Sequence, residues 1–305
     1  MLIGMIGLGR SGAGLVRRLL EKGHQVAGYD PVAHVRQDLA KAGMVPAENL
    51  PALIGLLRSP KGNETVRIWL SIPSGPPVDD SLRQVLPLLS RGDMIVDTGI
   101  SRFSDTLRRA KILAQTGAFL LDAGITTWEG KVCSLVVGGE KECIDDLGPV
   151  FDSLAPGGGY LHTGPVGSGH FVKMVSRGIE SAFLQAMGEG FEILRQGPFD
   201  LDLGAVARIW SGGTVAGSRW LEILSGVFGE DPSLSSHRGY SDDQEEVRWT
   251  AETAIECGVF SPLLTLALME GRASRQGEIF SHKLVAALRN ASGGHRVMSE
   301  PGSPA

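Results

Sequence analysis

Charged and titratable side chains interrupt an otherwise apolar segment over residues 167–194, "GSGHFVKMVSRGIESAFLQAMGEGFEIL". Lys173, Arg177 and Glu180 follow the spacing i, i+4 and i+7, which places them on one face of a helix. His170 precedes Lys173 by three residues and extends that face by about one turn. Charged groups are rarely buried without a partner or a task, so the stripe indicates a functional face. A solvated edge or a structural ion pair is the alternative interpretation.

A glycine-rich loop, "GLGRSG" at residues 7–12, follows the first strand-like run and opens a helical pattern. Gly7 permits a tight turn, Gly9 lets the backbone approach a pyrophosphate, and Gly12 lets the helix pack closely on a sheet. A strand before the loop and a helix after it predict dinucleotide binding. The expected cofactor-binding residues are Gly7, Leu8, Gly9, Arg10, Ser11, Gly12, Asp30, Ser71, Ile72 and Pro73.

Asp30 ends the second strand-like run and is the residue expected to select the cofactor. Its carboxylate would accept hydrogen bonds from the adenosine ribose hydroxyls and would repel a 2′-phosphate. Pro31 and Val32 follow, with no adjacent arginine to neutralise the charge, so NAD is favoured over NADP. Arg36 is the residue that could reverse this preference. A simple turn residue is the alternative interpretation of Asp30, because Asp-Pro often begins turns.

The bulk composition describes an ordinary soluble globular protein of 305 residues, 42% hydrophobic and 21% charged. This length is enough for two domains. The net charge of −5 provides no electrostatic footprint for nucleic acid or an anionic membrane. Three widely spaced cysteines suggest neither a disulfide framework nor a zinc site, which fits a reducing cytoplasm. No apolar run is long enough to span a membrane, and the N-terminus lacks a signal-peptide pattern.

The predicted secondary structure that positions these residues changes along the chain from alternating strands and helices to helices alone. In the first half, strand-like runs alternate with helical patterns such as 13–22 and 105–115, which predicts a doubly wound, mainly parallel sheet. The predicted strands are 2–7, 24–30, 66–72, 93–99, 118–124 and 133–139. After "GPVGSG" only helices are predicted, at 169–195, 201–226, 246–256, 261–275 and 277–290. The prediction is therefore an α/β Rossmann-type domain over 1–164, followed by an all-α domain over 165–305.

Motifs along nearly the whole chain resemble the 6-phosphogluconate dehydrogenases, specifically their short-chain bacterial branch. They are "IGLGRSG", "IVDTG", "GSGHFVKMV", "RWTAETAIECGV", "AALRN" and "GGHRV". The glycine loop and the order of the domains are shared more broadly with the β-hydroxyacid dehydrogenases. The resemblance implies NAD-dependent oxidation of 6-phosphogluconate at its 3-hydroxyl, loss of CO2 and protonation of the resulting enediol to ribulose 5-phosphate, a step of the pentose phosphate pathway. No metal is implied, because the keto group serves as the electron sink.

The resemblance also assigns the two catalytic groups. The family's lysine matches Lys173 and its glutamate matches Glu180, as the base for the 3-hydroxyl and the acid for the enediol carbon. A lysine that acts as a base must be neutral, so its pKa must lie below the ordinary value of about 10. Arg177, one turn away, is a hypothetical source of the positive charge that would lower it.

The substrate site departs from the family pattern. Ser176 and Arg177 stand where the family has His and Asn, and Ser181 stands where it has Tyr. The loop "DAGITTWEGK" appears shorter than the family's substrate loop, with Trp128 in place of a glycine. The expected substrate-binding residues are Thr126, Thr127, His170, Ser176, Arg177, Arg289 and His295.

Arg289 and His295 match a family pair that reaches into the site of a neighbouring subunit, which implies a homodimer or homotetramer. The alternative interpretation of Arg289 is a charge at the end of a helix, and that of His295 is a histidine in a loop. Apolar runs such as "FSPLLTLALMEG" at 260–271 also favour oligomerisation.

The departures leave three functions open. The first is 6-phosphogluconate oxidation. The second is a hydroxyacid dehydrogenase or related reductase with a different substrate, and the third is a cofactor-binding paralogue with weak or no catalysis.

Overall fold

The protein divides into two compact units, Met1–Lys173 and Met174–Ala305. This division lies inside a long helix, beyond the boundary expected at residue 164. The computed structural model describes residues 1–58, 65–128, 131–155, 157, 159–213, 217–239, 245–274 and 279–293. The prediction of an α/β domain followed by an all-α domain is confirmed.

The first unit is built on one eight-stranded sheet with the order β3-β2-β1-β4-β5-β6-β7-β8. The strands are β1 (Leu2–Ile6), β2 (Gln25–Tyr29), β3 (Val45–Pro46), β4 (Arg67–Leu70), β5 (Met94–Asp97), β6 (Phe119–Trp128), β7 (Lys131–Gly138) and β8 (Tyr160–Gly164). Every neighbouring pair is parallel except β6 and β7, which are antiparallel. All six predicted strands are therefore present. The two additional strands, β3 and β8, lie at the edges of the sheet.

Helices lie along the chain between the strands of this unit. They are α1 (Arg10–Glu21), α2 (Ala33–Ala40), α3 (Leu50–Leu57), α4 (Pro76–Val85), α5 (Phe103–Ala114) and α6 (Lys141–Leu154), with a 3₁₀ turn at Leu86–Leu88. Side chains of β1 alternate between two apolar cores, since Ile3 and Met5 belong to one and Ile6 to the other. This alternation is typical of a sheet covered on both faces.

The strand order reverses direction at β1. Chain order runs outward from β1 to β2 and β3, and then resumes on the other side of β1 with β4. The carboxyl ends of β1 and β4 therefore border a crevice, which is where doubly wound sheets bind ligands.

The second unit contains helices alone among its described residues. The long helix α7 (Ser168–Gln196) begins in the first unit and continues into the second, where it is followed by α8 (Leu203–Gly213), α9 (Arg219–Glu230), α10 (Glu245–Glu256), α11 (Pro262–Ala273) and α12 (Phe280–Gly293). Phe191, Leu224, Phe228 and Leu284 are among the buried residues of its core.

One predicted helix of this unit is wrong. The segment 201–226 forms two helices, α8 and α9, instead of one. Gly212 and Gly213 end α8, and Gly217 stands just before α9. Glycine disfavours helix by about 1 kcal/mol relative to alanine, so this cluster favours an interruption of the helix. Within the described part of the chain, every helix is too short or too polar to cross a bilayer.

Candidate active site

The glycine loop at the carboxyl end of β1 has the geometry of a phosphate cradle. Gly7 has a φ of +91°, and a Cβ there would collide with the carbonyl oxygen of Ser71. A Cβ on Gly12 would collide with the carbonyl oxygen of Gly7, so α1 packs against the loop as only glycine permits. Gly9 instead faces open space and is the N-cap of α1, with no side chain capping the helix. The backbone N–H groups that open α1 thus fit an anionic pyrophosphate.

The other expected cofactor residues of this edge fall into two groups. Arg10 and Ser11 are exposed in the first turn of α1, whereas the side chain of Leu8 is buried in the core. Ser71, Ile72 and Pro73 follow β4 directly, and the Ser71 N–H donates to the carbonyl oxygen of Ile6 at 2.8 Å. The loops after β1 and β4 are therefore tied together at the crevice.

Asp30 lies just after β2, at the same edge of the sheet. Its carboxylate accepts the N–H of Leu8 at 2.8 Å and the N–H of Val32 at 2.9 Å. Arg36 lies beside Asp30, since its Nη1 donates to the Asp30 carbonyl oxygen at 2.5 Å while its Nη2 donates to the exposed carboxylate of Glu48 at 3.2 Å. The Asp30 carboxylate is thus fixed beside the glycine loop, and the guanidinium that could attract a 2′-phosphate lies next to it with Glu48 as its carboxylate partner.

A buried aspartate fixes the start of α7. Asp122, in β6, accepts the N–H of Gly167 at 2.5 Å and the N–H of His170 at 2.6 Å. Its side chain is fully buried, and a carboxylate at this place satisfies N–H groups that the first helical turn leaves free. The sequence analysis missed this residue. The available signal was an acidic residue inside the apolar run "FLLDAG".

The imidazole of His170 is enclosed in the first unit. Nδ1 lies 2.8 Å from the hydroxyl of Thr106, and Nε2 lies 3.1 Å from the carbonyl oxygen of Asp97. The residue is 3% exposed. These contacts link α7 to α5 and to the end of β5, and they favour a structural role for His170 over the substrate-binding role expected from sequence.

Lys173 stands one turn further along α7, where the helix packs against β6. A Cβ on Gly124 would collide with the Cβ of Lys173, so the helix rests directly on the strand. The Lys173 ammonium donates to the hydroxyl of Thr126 at 3.2 Å. Two expected site residues, one catalytic and one substrate-binding, are thus in contact. Such an amine beside a hydroxyl can hold and move a proton of a bound alcohol.

Glu180 and Arg177 lie in the second unit and contact each other. The Arg177 guanidinium donates to Glu180 at 2.5 Å and lies 3.5 Å from the carboxylate of Glu246, in α10. The side chains of Arg177 and Glu180 are both partly buried. The source of positive charge hypothesised for Lys173 is therefore paired with two carboxylates, and its effect on Lys173 stays a prediction.

The remaining substrate-binding predictions are scattered. Ser176 is exposed on α7, and Thr127 is exposed at an irregularity in the pairing of β6 with β7. Arg289 is half-buried in α12. His295 lies outside the described residues.

Comparisons with known proteins agree with this geometry. Residues 2–164 match the model of the NAD-binding domain of 6-phosphogluconate dehydrogenase. A Haloferax volcanii protein named NAD(+)-dependent, decarboxylating 6-phosphogluconate dehydrogenase is 40% identical over 305 aligned residues, covering 97% of this chain and 98% of the relative.

Solved structures share the fold. The Plasmodium falciparum 6-phosphogluconate dehydrogenase superposes with a TM-score of 0.80 at 23% identity, over 90% of this chain and 62% of that one. The Mycobacterium tuberculosis 3-hydroxyisobutyrate dehydrogenase superposes with a TM-score of 0.70 at 19% identity, over 94% and 99% of the two chains. From the matched domain and the Haloferax relative, the chain belongs to the 6-phosphogluconate dehydrogenase family of NAD(P)-dependent oxidoreductases.

Proposed function

We propose that this protein catalyses the NAD-dependent oxidative decarboxylation of 6-phosphogluconate to ribulose 5-phosphate and CO2. The observation that carries the proposal is the placement of Lys173, whose ammonium is held by Thr126 where α7 rests on β6. Glu180 follows on the same helix seven residues later, which is about two turns. The name of the Haloferax relative supports the same activity.

The proposed reaction assigns the proton transfers at the 3-oxygen to Lys173 and the proton transfer at C2 to Glu180. Lys173, as the neutral amine, takes the proton of the 3-hydroxyl, and bound NAD would supply the oxidising power by accepting the C3 hydride. The resulting 3-keto acid breaks its C1–C2 bond and releases CO2, and the bonding pair forms an enediolate, whose 3-oxygen takes the proton back from the Lys173 ammonium to give the enediol. Glu180 then gives a proton to C2, which becomes C1 of ribulose 5-phosphate, while Lys173 removes the proton of the 3-hydroxyl and the C3 carbonyl forms again. A positioned acid or base of this kind contributes about 10²–10⁴-fold to a rate.

The preference for NAD over NADP rests on Asp30. Its carboxylate is held by two backbone N–H groups beside the glycine loop, where it would accept the ribose hydroxyls and repel a 2′-phosphate. Arg36, which donates to the Asp30 carbonyl oxygen and pairs with Glu48, is the nearest group that could neutralise such a phosphate, so comparison of NAD with NADP tests this preference directly.

We also propose that a second copy of this chain completes the assembly. Phe260 is 91% exposed and Leu263 is 74% exposed, and Leu266 and Met269 continue the same exposed apolar surface along α11. Monomeric soluble proteins rarely expose such a patch. Arg289 and His295 remain the residues predicted to reach a neighbouring subunit's substrate.

The oxidation of a different hydroxy acid is the second candidate. The observation that favours it is the pairing of Arg177 with two carboxylates, which leaves that side chain without charge to offer a phosphate. A smaller or unphosphorylated hydroxy acid would not require this charge.

One assay separates the candidates. Purified protein is incubated with 6-phosphogluconate or 3-hydroxyisobutyrate and with NAD or NADP, while reduced cofactor and CO2 are both measured. The proposal predicts NADH and CO2 in equal amounts from 6-phosphogluconate, at a higher kcat/KM with NAD than with NADP. Turnover of 3-hydroxyisobutyrate alone would support the second candidate, and cofactor binding without turnover of either acid would contradict the proposal and exclude 3-hydroxyisobutyrate as the second candidate's substrate.

A further inference from the structure

Arg177 is shared by carboxylates from two helices. Its Nη1 donates to Glu180 on α7, and its Nε lies 3.5 Å from Glu246 on α10. The Glu246 side chain is only 12% exposed, which makes it the most buried of the three. Partly buried ion pairs with good geometry are screened less by solvent than surface pairs, so this arrangement constrains all three side chains.

The packing of α10 on α7 explains why Glu246 lies at this place. The hydroxyl of Thr250 donates to the carbonyl oxygen of Met174 at 2.8 Å. A Cβ on Gly178 would lie 2.7 Å from the Thr250 methyl group, so the missing side chain allows the two helices to approach closely. Glu246 is one helical turn before Thr250 and is therefore carried to Arg177 by the same contact.

The charges of the three groups bear on proton transfer. When Arg177, Glu180 and Glu246 are all ionised, the three side chains together carry one negative charge in excess. When Glu180 is protonated, Arg177 keeps Glu246 as its counter-charge and the cluster becomes neutral. Without Glu246, protonation of Glu180 would leave a partly buried guanidinium unpaired, which is costly.

We propose that Glu246 is a positioning residue that acts through Arg177 on Glu180. It holds the guanidinium in place and compensates its charge while Glu180 gains and loses the proton of the enediol step. The inference rests on the proposed function, because that function makes Glu180 the proton donor. It also assigns Arg177 to the positioning of Glu180 instead of to the binding of a substrate anion.

The first test compares Glu246→Gln with Glu252→Gln. Glu252 lies on the same helix and pairs at 3.9 Å with Arg248, so its variant removes an equal charge from α10 away from Glu180. Glu246→Gln should lower kcat at least tenfold and change KM for NAD less than twofold. It should also slow the exchange of a C1 hydrogen of ribulose 5-phosphate with solvent deuterium by a factor similar to that for kcat. Glu246→Asp should recover part of both rates, and Glu252→Gln should stay within twofold of wild type. Equal behaviour of the two glutamine variants would overturn the inference.

A double-mutant cycle tests whether Glu246 acts through Arg177. In an Arg177→Gln background, Glu246→Gln should change kcat less than twofold. If Glu246→Gln lowers kcat by the same factor in both backgrounds, the two residues act independently and the inference is overturned. If Glu246→Gln does not fold, the cycle is run with Glu246→Asp under the same criterion.

The proposed function can fail separately. Wild-type protein that neither forms NADH from 6-phosphogluconate nor exchanges the C1 hydrogen would contradict that function. The same cycle is then measured as the free energy of unfolding in urea. Coupled effects on stability at positions 177 and 246 would support the contact between Arg177 and Glu246. Additive effects would overturn that contact, whatever the substrate is.

Discussion

At the scale of single residues, the site depends on how each charged side chain is matched. Lys173 is held by a neutral hydroxyl, that of Thr126, whereas Arg177 is matched by Glu180 and Glu246. A basic side chain beside a hydroxyl can exchange a proton with a bound alcohol, while one shared by two carboxylates is restrained to orient them. We therefore propose different roles for the two basic groups of the α7 stripe, although their spacing in the sequence is the same kind of signal.

Replacement of the lysine tests its role as base. Lys173→Met should lower kcat for 6-phosphogluconate oxidation by about 10²–10⁴-fold, since a positioned base is lost. NAD affinity, measured by calorimetry, should change little, because the cofactor loop is at the end of β1. Lys111→Met, at an exposed position of α5, is the control and should retain wild-type kcat. A Lys173→Met enzyme with a tenth of wild-type kcat or more would contradict the assignment.

Asp231, which follows α9, should make the free energy of unfolding depend on pH in the acid range. Burial of its carboxyl raises the pKa, but hydrogen bonds from the backbone and hydroxyl of Ser236 and from neighbouring serines outweigh burial and hold the pKa well below its ordinary value. A lowered pKa in the folded state stabilises the protein above the unfolded value of about 4, and this stabilisation is lost as pH falls toward the folded value.

Asp231→Asn should therefore lower the free energy of unfolding by about 1–3 kcal/mol at pH 7. The difference from wild type should shrink as pH falls below about 4. Urea unfolding between pH 3 and 7 measures both effects, and a difference that stays constant with pH would contradict the linkage to this carboxyl.

Some residues of the site could be predicted from sequence and others could not. The conformation of Gly7 and the close packing at Gly12 follow from local spacing, because a strand, a turn and a helix adjoin there. The partner of Arg177 is different, since Glu246 comes from a distant helix and only the tertiary packing of α10 on α7 brings it near. His170 shared the periodicity of the stripe, but the sequence does not reveal that Thr106 and Asp97 enclose its ring.

At the scale of elements, the first turn of α7 is packed against strands with no space to spare. A Cβ on Gly169 would lie 2.7 Å from the carbonyl oxygens of Asp122 and Val136, which are backbone atoms that cannot rotate away. Asp122 binds the N–H groups of the same turn. The position of Lys173 therefore depends on an interface that requires glycine.

Two alanine substitutions in α7 should have opposite effects. Gly169→Ala should destabilise the protein by about 1–3 kcal/mol or more, because overpacking against backbone forces the helix to shift, and should lower kcat by displacing Lys173. Gly190→Ala, where a Cβ meets nothing within 4 Å, should stabilise the protein by about 0.5–1 kcal/mol. Urea unfolding of both variants measures the contrast, and equal effects would show that α7 does not require glycine at 169.

The elements themselves were predictable where periodicity was strong. The alternation of strands and helices over the first half indicated the doubly wound sheet, and the observed strands agree. The antiparallel pairing of β6 with β7 was missed because strand direction is set by connections. The edge strands were missed because β3 has only two residues and β8 has no buried residue. The split into α8 and α9 was missed because the apolar period continues across the glycines near 212–217.

At the scale of the whole molecule, the second unit leaves apolar side chains uncovered. The patch formed by Phe260, Leu263, Leu266 and Met269 lies along α11 and begins two residues before it. The sequence predicted association from this apolar run, but exposure depends on which face the rest of the unit covers. The proposal of a second copy rests on that exposure.

Disruption of this patch should yield a monomer. Phe260→Ser combined with Leu263→Glu should shift the sedimentation coefficient from that of a dimer or larger assembly to that of a 32.3 kDa chain. The far-ultraviolet circular dichroism should not change, because both side chains are exposed. A wild-type protein that already sediments as a monomer at micromolar concentration would contradict the proposal of a second copy.

The fate of the C3 hydrogen shows whether this protein oxidises 6-phosphogluconate at C3 and then decarboxylates it. Wild-type protein is incubated with NAD and 6-phosphogluconate that carries deuterium at C3, and the reduced cofactor is analysed by mass spectrometry while CO2 is measured. We predict one deuterium in each reduced NAD and one CO2 released for each. Reduced NAD without deuterium, or with deuterium but without CO2, would contradict oxidation at C3 followed by decarboxylation.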